Sequence, residues 1–469
     1  MTRFSNECAR ARAAQAAWSQ RPIRERLSPI REFRYRLVES AAALCSAAQA
    51  DVKRSPDELV ATDLVPTASA AKFLERRAAS ILAPRRVGDR PLWLWGCRDT
   101  VHRRPRGVVG LIGTWNYPVF LNAVPILHAL AAGNAVLWKP SELAPRSAEI
   151  LHELFLHAGF PPDLVQRLPA TRDAGPALVE SAIDFLHFTG SEPVGRAIAR
   201  RLGERLIPST LELSGCDAMF VLKDADLDLA AKLARYGSTL NHGQTCMAVR
   251  RVLVARPAFA AFLERLRSLL SPDRPDLAMP GEADRRDRLL TDARAAGCEV
   301  IEGNPTVIVN TKGERNLAAN REALFAPLLT VTPFDSLDEA LERDGETKLK
   351  LTASIITSDT EAARILAARL PVGCITINDV IVPTAHPGTP FGGRGASGWG
   401  STQGMEGLLE MTVPQVITNR SGKFRPHAEP GGSGDVPRGY LRLVHGRGFR
   451  ERWRGFRQLF AGLRAGRTN

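Results

Sequence analysis

The sequence predicts an α/β protein whose sheets are mostly parallel and covered on both faces. Three observations carry that expectation. From Gly107 onward, short apolar runs alternate with segments of helical spacing, the pattern of strand–crossover–strand units. The runs GVVGLIG, NAVLWKP and AIDFLHFTGS are apolar nearly throughout, as in strands buried on both sides. At 469 residues the chain is long enough for about two or three domains.

Taken in order, residues 1–80 are Ala-rich with apolar residues at helical spacing and read as helices. RPLWLWGCRDTVHRRP then reads as a strand pair or protruding hairpin. The first strand–helix series includes the helices PVFLNAVPILHALAAG and EPVGRAIARRLGERL, and a second series runs from about 212 to 395. GLLEMTVPQVIT reads as a late strand and RSGKFRPHAEPGGSGDVPRG as a flexible Pro/Gly linker. There are no internal repeats.

Composition narrows the class. Hydrophobic content of 44% and charged content of 24% are ordinary for a globular protein. The seven cysteines (8, 45, 97, 216, 246, 298 and 374) are scattered and never form CxxC. That argues against a disulfide framework or a metal site and for a reducing compartment. The charged N-terminus has no signal-peptide core, and no stretch of about 18 apolar residues occurs, so a cytoplasmic location is expected. The net charge of +13 is uneven: Arg438 to Asn469 holds nine arginines and one acid. The basic character belongs mostly to a tail.

Several short stretches offer chemistry. NHGQTCMAVRR places Cys246 after a Gly-Gln turn, where it is a nucleophile or one more small buried thiol. GTWNYPVFL puts Asn116 between a buried strand and a helix, a ligand-facing amide or a turn asparagine. WKPSE, again at a strand end, offers Lys139 and Glu142 to ribose hydroxyls or to solvent. FTGSEPVG is a glycine-rich strand-to-helix turn whose first helical N–H groups attract a phosphate, though it is not the full dinucleotide fingerprint. LELSGCDAMFV sets Glu212 at the end of an apolar strand, where a carboxyl with a raised pKa can serve as a general base. The plain alternative is a capping or salt-bridged glutamate. GCITIND and TPFGGRGASGWG follow.

In this combination and order the motifs resemble the aldehyde dehydrogenase family over roughly residues 1–420. The short N-terminal arm looks most like its class 3 branch, which takes aromatic and long-chain aldehydes. The resemblance implies a Rossmann-like NAD-binding domain (1–84 and 105–211) and an α/β catalytic domain (212–400). It also implies a small β oligomerisation element (85–104 and 401–420) that makes a homodimer. Cys246 is then the nucleophile, Asn116 the oxyanion donor together with the Cys246 N–H, and Glu212 the base that activates water. Lys139 and Glu142 hold the adenosine ribose, Gly190, Ser191 and Gly195 meet the pyrophosphate, and Trp115 and Phe325 lie at the cofactor. NAD is favoured because Glu142 repels a 2′-phosphate, with NADP the alternative. No metal is expected.

One departure stands out. The family run E-E-I-F-G-P is here EALFAP, so Ala323 stands where the family's nicotinamide-ribose glutamate does. The segment around 268–305 is also short. These features leave room for a lapsed member acting as a membrane-associated scaffold, and a CoA-acylating enzyme is a further alternative that a retained Glu212 disfavours. In the tail (421–469), Phe449, Trp453, Phe456, Phe460 and Leu463 fall on one helical stripe beside Arg450, Arg452, Arg454, Arg457 and Arg464. An anionic membrane surface is the expected partner, reached from the cytoplasmic side. A docked or disordered tail comes next, and nucleic acid last. Glycines at 446, 448, 455 and 462 suggest a helix that folds only on binding.

Overall fold

The computed structural model describes residues 3–91, 94–422 and 434–465. The first 80 or so residues are helical, with Ser5–Ser19, Ile23–Glu39, Ala41–Val52 and Val65–Ile81 the longer helices. Their inward residues, among them Ile30, Phe33, Leu37, Leu44 and Leu74, are buried. Phe33 stacks on Phe155 of the helix Pro145–His157 with ring centroids 4.5 Å apart, joining this helical layer to the sheet layer behind it.

Two compact units result, residues 1–82 with 103–413, and residues 83–102 with 414–469. In chain order the strands begin with β1 (Arg85–Arg86), β2 (Cys97–Pro105), β3 (Val108–Ile112), β4 (Ala135–Lys139), β5 (Val165–Arg167), β6 (Phe185–Gly190) and β7 (Ser209–Leu213). Then come β8 (Asp217–Val221), β9 (Val249–Ala255), β10 (Glu299–Ile301), β11 (Thr306–Val309), β12 (Leu328–Phe334), β13 (Leu349–Lys350), β14 (Thr352–Ile356) and β15 (Cys374–Ile377). The last are β16 (Arg394–Gly395), β17 (Gly398–Trp399) and β18 (Thr412–Arg420).

The first unit contains two large sheets. One has the order β17-β7-β6-β3-β4-β5, parallel except for β17 at its edge. The other runs β10-β11-β12-β9-β8-β14-β15, parallel except for the β10–β11 pair. Every residue of β3, β4, β8, β9, β12 and β14 is buried, which explains the continuous apolar runs. The helix Phe120–Ala132 is buried at every position but Leu121, so it is core on all sides. The strap β17 reaches β7 only because Gly398 has φ +100° and no side chain; a Cβ there would collide with the Leu211 carbonyl.

In the second unit β1, β2 and β18 form a three-stranded sheet with β2 central. The late strand needs one correction. GLLE belongs to a helix, Gly404–Glu410, and pairing begins at Thr412. The linker reading also ends earlier than expected, because Asp435–His445 is a helix; residues 423–433 lie outside the described residues. This helix packs antiparallel-fashion on the tail helix Phe449–Ala465 through a turn at 446–448, so the tail helix is one arm of a hairpin. The physical reason is backbone proximity. Gly439 faces the Leu459 and Gly455 backbone and Gly455 faces Arg442 and Leu443, with no room for a Cβ at either. Glycines that weaken a lone helix are here the contact points of two.

Candidate active site

The turn bearing Cys246 is bent by its backbone. After the helix Leu227–Thr239, residues Asn241, His242 and Gly243 take φ values of 52°, 55° and 73°. Asn241 Nδ2 secures the turn by donating to the carbonyls of Asn116 (2.9 Å) and Gln244 (3.1 Å). Gly243 lies against the Ala326–Pro327 backbone, where a Cβ would collide. Arg250, fully buried, joins the same two segments by donating to the Ala326 carbonyl at 2.7 Å and to the Gly243 carbonyl. Cys246 is thereby held in place, only 7% exposed.

Asn116 arrives from the other sheet, four residues beyond β3. Its Nδ2 donates to the Gln244 carbonyl at 3.0 Å and its Oδ1 accepts from Thr114 Oγ1 at 2.9 Å. The Tyr117 and Thr245 hydroxyls share a hydrogen bond of 2.7 Å, tying the two loops again. Beneath them Arg54 and Asp63 form a buried ion pair at 2.6 Å. Arg54 Nη1 also donates to the Asn116 carbonyl, while Asp63 Oδ1 accepts from the N–H groups of Val119 and Phe120 at 3.1 and 2.9 Å. Breaking a buried pair leaves a charge without compensation, so Asp63→Ala is expected to cost about 3–5 kcal/mol in chemical denaturation. Asp63→Asn keeps an acceptor for the Val119 and Phe120 N–H groups but not the charge that compensates Arg54, so it should recover only a small part of that cost.

Glu212 comes from β7 and is buried, with no hydrogen-bond partner of good geometry on either oxygen among the described residues. Burial pushes its carboxyl up to about 7, against weaker opposition from the Cys246 thiol and the Thr189 hydroxyl. Burial likewise pushes the Cys246 thiol well above its ordinary value, and the nearby Glu212 charge adds to that. The two groups are coupled acids that cannot comfortably both be charged. A carboxyl poised near 7 can accept a proton from a thiol or from water at neutral pH.

A cleft of about 1040 Å³ opens over this pair. It brings together Trp115, Asn116, Gly190, Ser191, Glu212, Cys246 and Phe325 of the expected site. The Trp115 and Phe325 rings approach with centroids 5.9 Å apart. Ser191 caps the helix Glu192–Glu204, whose N-terminus faces the cleft, and its hydroxyl bonds no helix N–H. Lys139, Glu142 and Gly195 are not in the lining. Gly195 instead packs the helix onto Leu213, where a Cβ would collide. Lys139 is buried at the end of β4, with Nζ 3.1 Å from Glu142, and Arg172 meets the other Glu142 oxygen at 3.0 Å. Partial burial opposes it, yet hydrogen bonds from its own backbone, Lys139 and Arg172 hold Glu142 below its ordinary value.

Residues 3–417 match the model of the Aldehyde dehydrogenase family. The chain belongs to that family. A Methylomonas relative, 4,4'-diapolycopene aldehyde oxidase, is 34% identical over 436 residues, 89% of this chain and 82% of the relative. A Mycolicibacterium smegmatis relative with the provisional name succinate-semialdehyde dehydrogenase [NADP(+)] is 33% identical, covering 87% and 83%. Among solved structures, a Mycobacterium tuberculosis aldehyde dehydrogenase complexed with NAD+ superposes with a TM-score of 0.83 at 26% identity, covering 89% of this chain and 90% of that one.

Within this family member the site contains residues that sequence reasoning missed. Ala323 brings no carboxylate, but Glu282, at the start of the helix Glu282–Ala295, is buried in the cleft wall. It accepts the Phe325 N–H at 2.6 Å and pairs with Arg285 at 2.7 Å; Arg285 in turn meets Glu322 and the Ala323 carbonyl. The segment around 268–305 thus brings an acidic and a basic side chain to the EALFAP run. Arg54 and Asp63 lie in no motif, and Arg250, near the end of the stretch that bears Cys246, has no role in the sequence reading. Only Asp63, in the run LVATDLVP, stands as a charge in apolar surroundings.

Proposed function

We propose that this protein oxidises a hydrophobic aldehyde to the carboxylic acid with NAD as hydride acceptor and NADP as the second choice. The carrying observation is the Cys246–Glu212 couple, a thiol and a carboxyl held at about 7 under one cleft. The residues present fit a dinucleotide: a helix N-terminus at Ser191, whose hydroxyl bonds no helix N–H, the Trp115 and Phe325 rings, and the Lys139–Glu142 pair at a strand end. Bound there, NAD supplies the acceptor for the hydride that leaves the substrate carbon.

The chain's own residues perform the remaining work. The Cys246 thiol gives its proton to Glu212, and the sulfur adds to the aldehyde carbon to form a thiohemiacetal. One amide hydrogen of Asn116 is engaged with Gln244, which leaves the second for the oxyanion alongside the Cys246 N–H. After hydride loss the carbon is an acyl thioester. Glu212 first releases to solvent the proton it took from Cys246 and then takes one from water, whose oxygen attacks that carbon; the carboxylic acid leaves, and the departing thiolate recovers its proton from Glu212. Asn116→Ala is expected to lower kcat about 10²–10³-fold, read by steady-state NADH formation.

The hydrophobic substrate is supported by the Leu213, Met279, Pro280 and Leu349 side chains in the cleft wall and by the relative named for 4,4'-diapolycopene aldehyde. The same reading holds the domain limits 1–84 with 105–211 and 212–400, a homodimer through 85–104 and 401–420, and a cytoplasmic protein whose C-terminal helices meet an anionic membrane. Exposed Val413, Val416 and Ile417 on β18 favour the dimer. Glu142→Gln should narrow the preference for NAD over NADP about fivefold, in the ratio of the two KM values, because one repelling charge is gone. The deciding experiment follows NADH at 340 nm, roughly pH 8, with NAD and aldehydes from benzaldehyde to hexadecanal. Turnover favouring the longer or aromatic aldehydes supports the reading; no turnover and no NAD binding by titration would overturn it.

A further inference from the structure

The C-terminal hairpin lies outside the family match, which ends at residue 417. Its two helices are joined by glycine contacts at 439 and 455, so its own packing does not consume its large side chains. Phe449, Trp453, Phe456 and Phe460 remain 80%, 52%, 40% and 48% exposed. They are not scattered. Successive rings lie 6.2, 5.5 and 5.6 Å apart, forming one continuous ridge along the tail helix. At 1.5 Å per residue that ridge is about 17 Å long.

Arginines run beside it. Arg450, Arg457 and Arg464 recur every seven residues next to the ridge, and residues 434–465 hold eight arginines against Asp435 and Glu451. Glu451 is already shared by Arg442 and Arg454. No described helix is long and apolar enough to cross a membrane. An exposed aromatic ridge flanked by cations suits a surface that is anionic outside and apolar a few ångströms deeper. A nucleic-acid duplex keeps its bases stacked inside and offers the charge but no apolar layer for four exposed rings.

We propose that the hairpin 435–465 is a preformed docking surface for an anionic lipid bilayer, lying in the interface with the aromatic ridge at the acyl-chain boundary and the arginines on headgroup phosphates. It rests on the reading of a hydrophobic aldehyde and deepens it, because the bilayer becomes the phase that delivers the substrate. The hairpin is already folded before it docks.

The test uses the full-length protein, sedimented with vesicles of phosphatidylcholine alone or with 30% phosphatidylglycerol, at low and high salt. Wild type is expected to bind the anionic vesicles at least tenfold more tightly, with the preference lost at high salt. F456A/F460A and R450Q/R457Q/R464Q should each weaken that binding at least tenfold while benzaldehyde turnover stays unchanged. Turnover of hexadecanal carried in the vesicles should fall with the binding. Brominated acyl chains should quench wild-type tryptophan fluorescence more than that of W453F, a readout independent of whether the multiple variants fold. The proposal is overturned if wild type ignores vesicles, if binding is indifferent to lipid charge, or if both variants bind as wild type does. It is also overturned if F456A/F460A changes the oligomeric state by light scattering, which would make a second copy the occupant, or if duplex DNA is bound in place of vesicles. Vesicle binding without turnover of any aldehyde would uphold the hairpin and overturn the substrate reading.

Discussion

Cys246→Ala is expected to lower kcat for aldehyde oxidation by about 10⁴-fold or more, with the affinity for NAD altered by less than about twofold. No other cysteine can take its place. Cys216 is buried outside the cleft lining with its Sγ directed to the Ala319 carbonyl, and Cys374 packs against the apolar cluster of Cys246 without lining the cleft. The parent enzyme's pH profile follows from the same burial. Because burial raises the Cys246 thiol, the attacking sulfur depends on an acceptor for its proton, and Glu212 can accept only when ionised. Activity should therefore rise with pH through about 7, where Glu212 loses its proton. A profile flat from pH 6 to 9 would remove Glu212 from that role.

Glu212→Gln is expected to separate the two halves of the reaction. An amide cannot take a proton from water, so thioester hydrolysis should slow by about 10²–10³-fold. The first turnover of NADH should slow as well, because the Cys246 thiol loses its proton acceptor, and stopped-flow NADH formation beside quenched-flow detection of acyl-enzyme reads the two steps separately. The same substitution should stabilise the protein. Glu212 sits at about 7 when folded, above its ordinary 4.5, so its contribution to stability is full below pH 4.5 and is lost as pH rises through 7. Glutamine stays neutral throughout. At pH 8 the variant should gain up to about 3 kcal/mol, and below pH 4.5 the gain should vanish. Buried Asp217, also pushed up to about 7, destabilises the parent in the same direction over the same interval.

The alternation of buried strands and helices was legible because strands covered on both faces leave an unbroken apolar record, as β4 and β9 do. Cys246, Glu212 and Asn116 stood out as candidates because each lies in a motif, Glu212 and Asn116 at strand ends and Cys246 after a Gly-Gln turn, and all three line one cleft. The supports were not legible. Arg54 reaches Asn116 across 62 positions, and its partner Asp63 looks like any helical acid until the fold buries it. Glu282 could not be matched with Phe325 because nothing local announces a contact 43 residues away. The helix Asp435–His445 was hidden by Pro437 and Gly439, residues that break a helix in isolation; here the proline lies in its first turn and the glycine admits a neighbour.

The strap β17 ties the order of synthesis to the assembly of the site. The strand carrying Glu212 pairs on one edge with β6, made just before it, but its other edge is closed by Gly398 and Trp399. At about 5–20 residues per second the intervening chain takes roughly 10–40 s to make. During that time the first sheet can collapse with one rim bare, and the carboxyl proposed as the base lies at the uncovered margin. The partner thiol emerges in the same interval. A nascent chain therefore holds neither a buried acid nor a finished cleft until nearly all of the first unit is translated, and its reactive couple is sealed among the last pieces to be set.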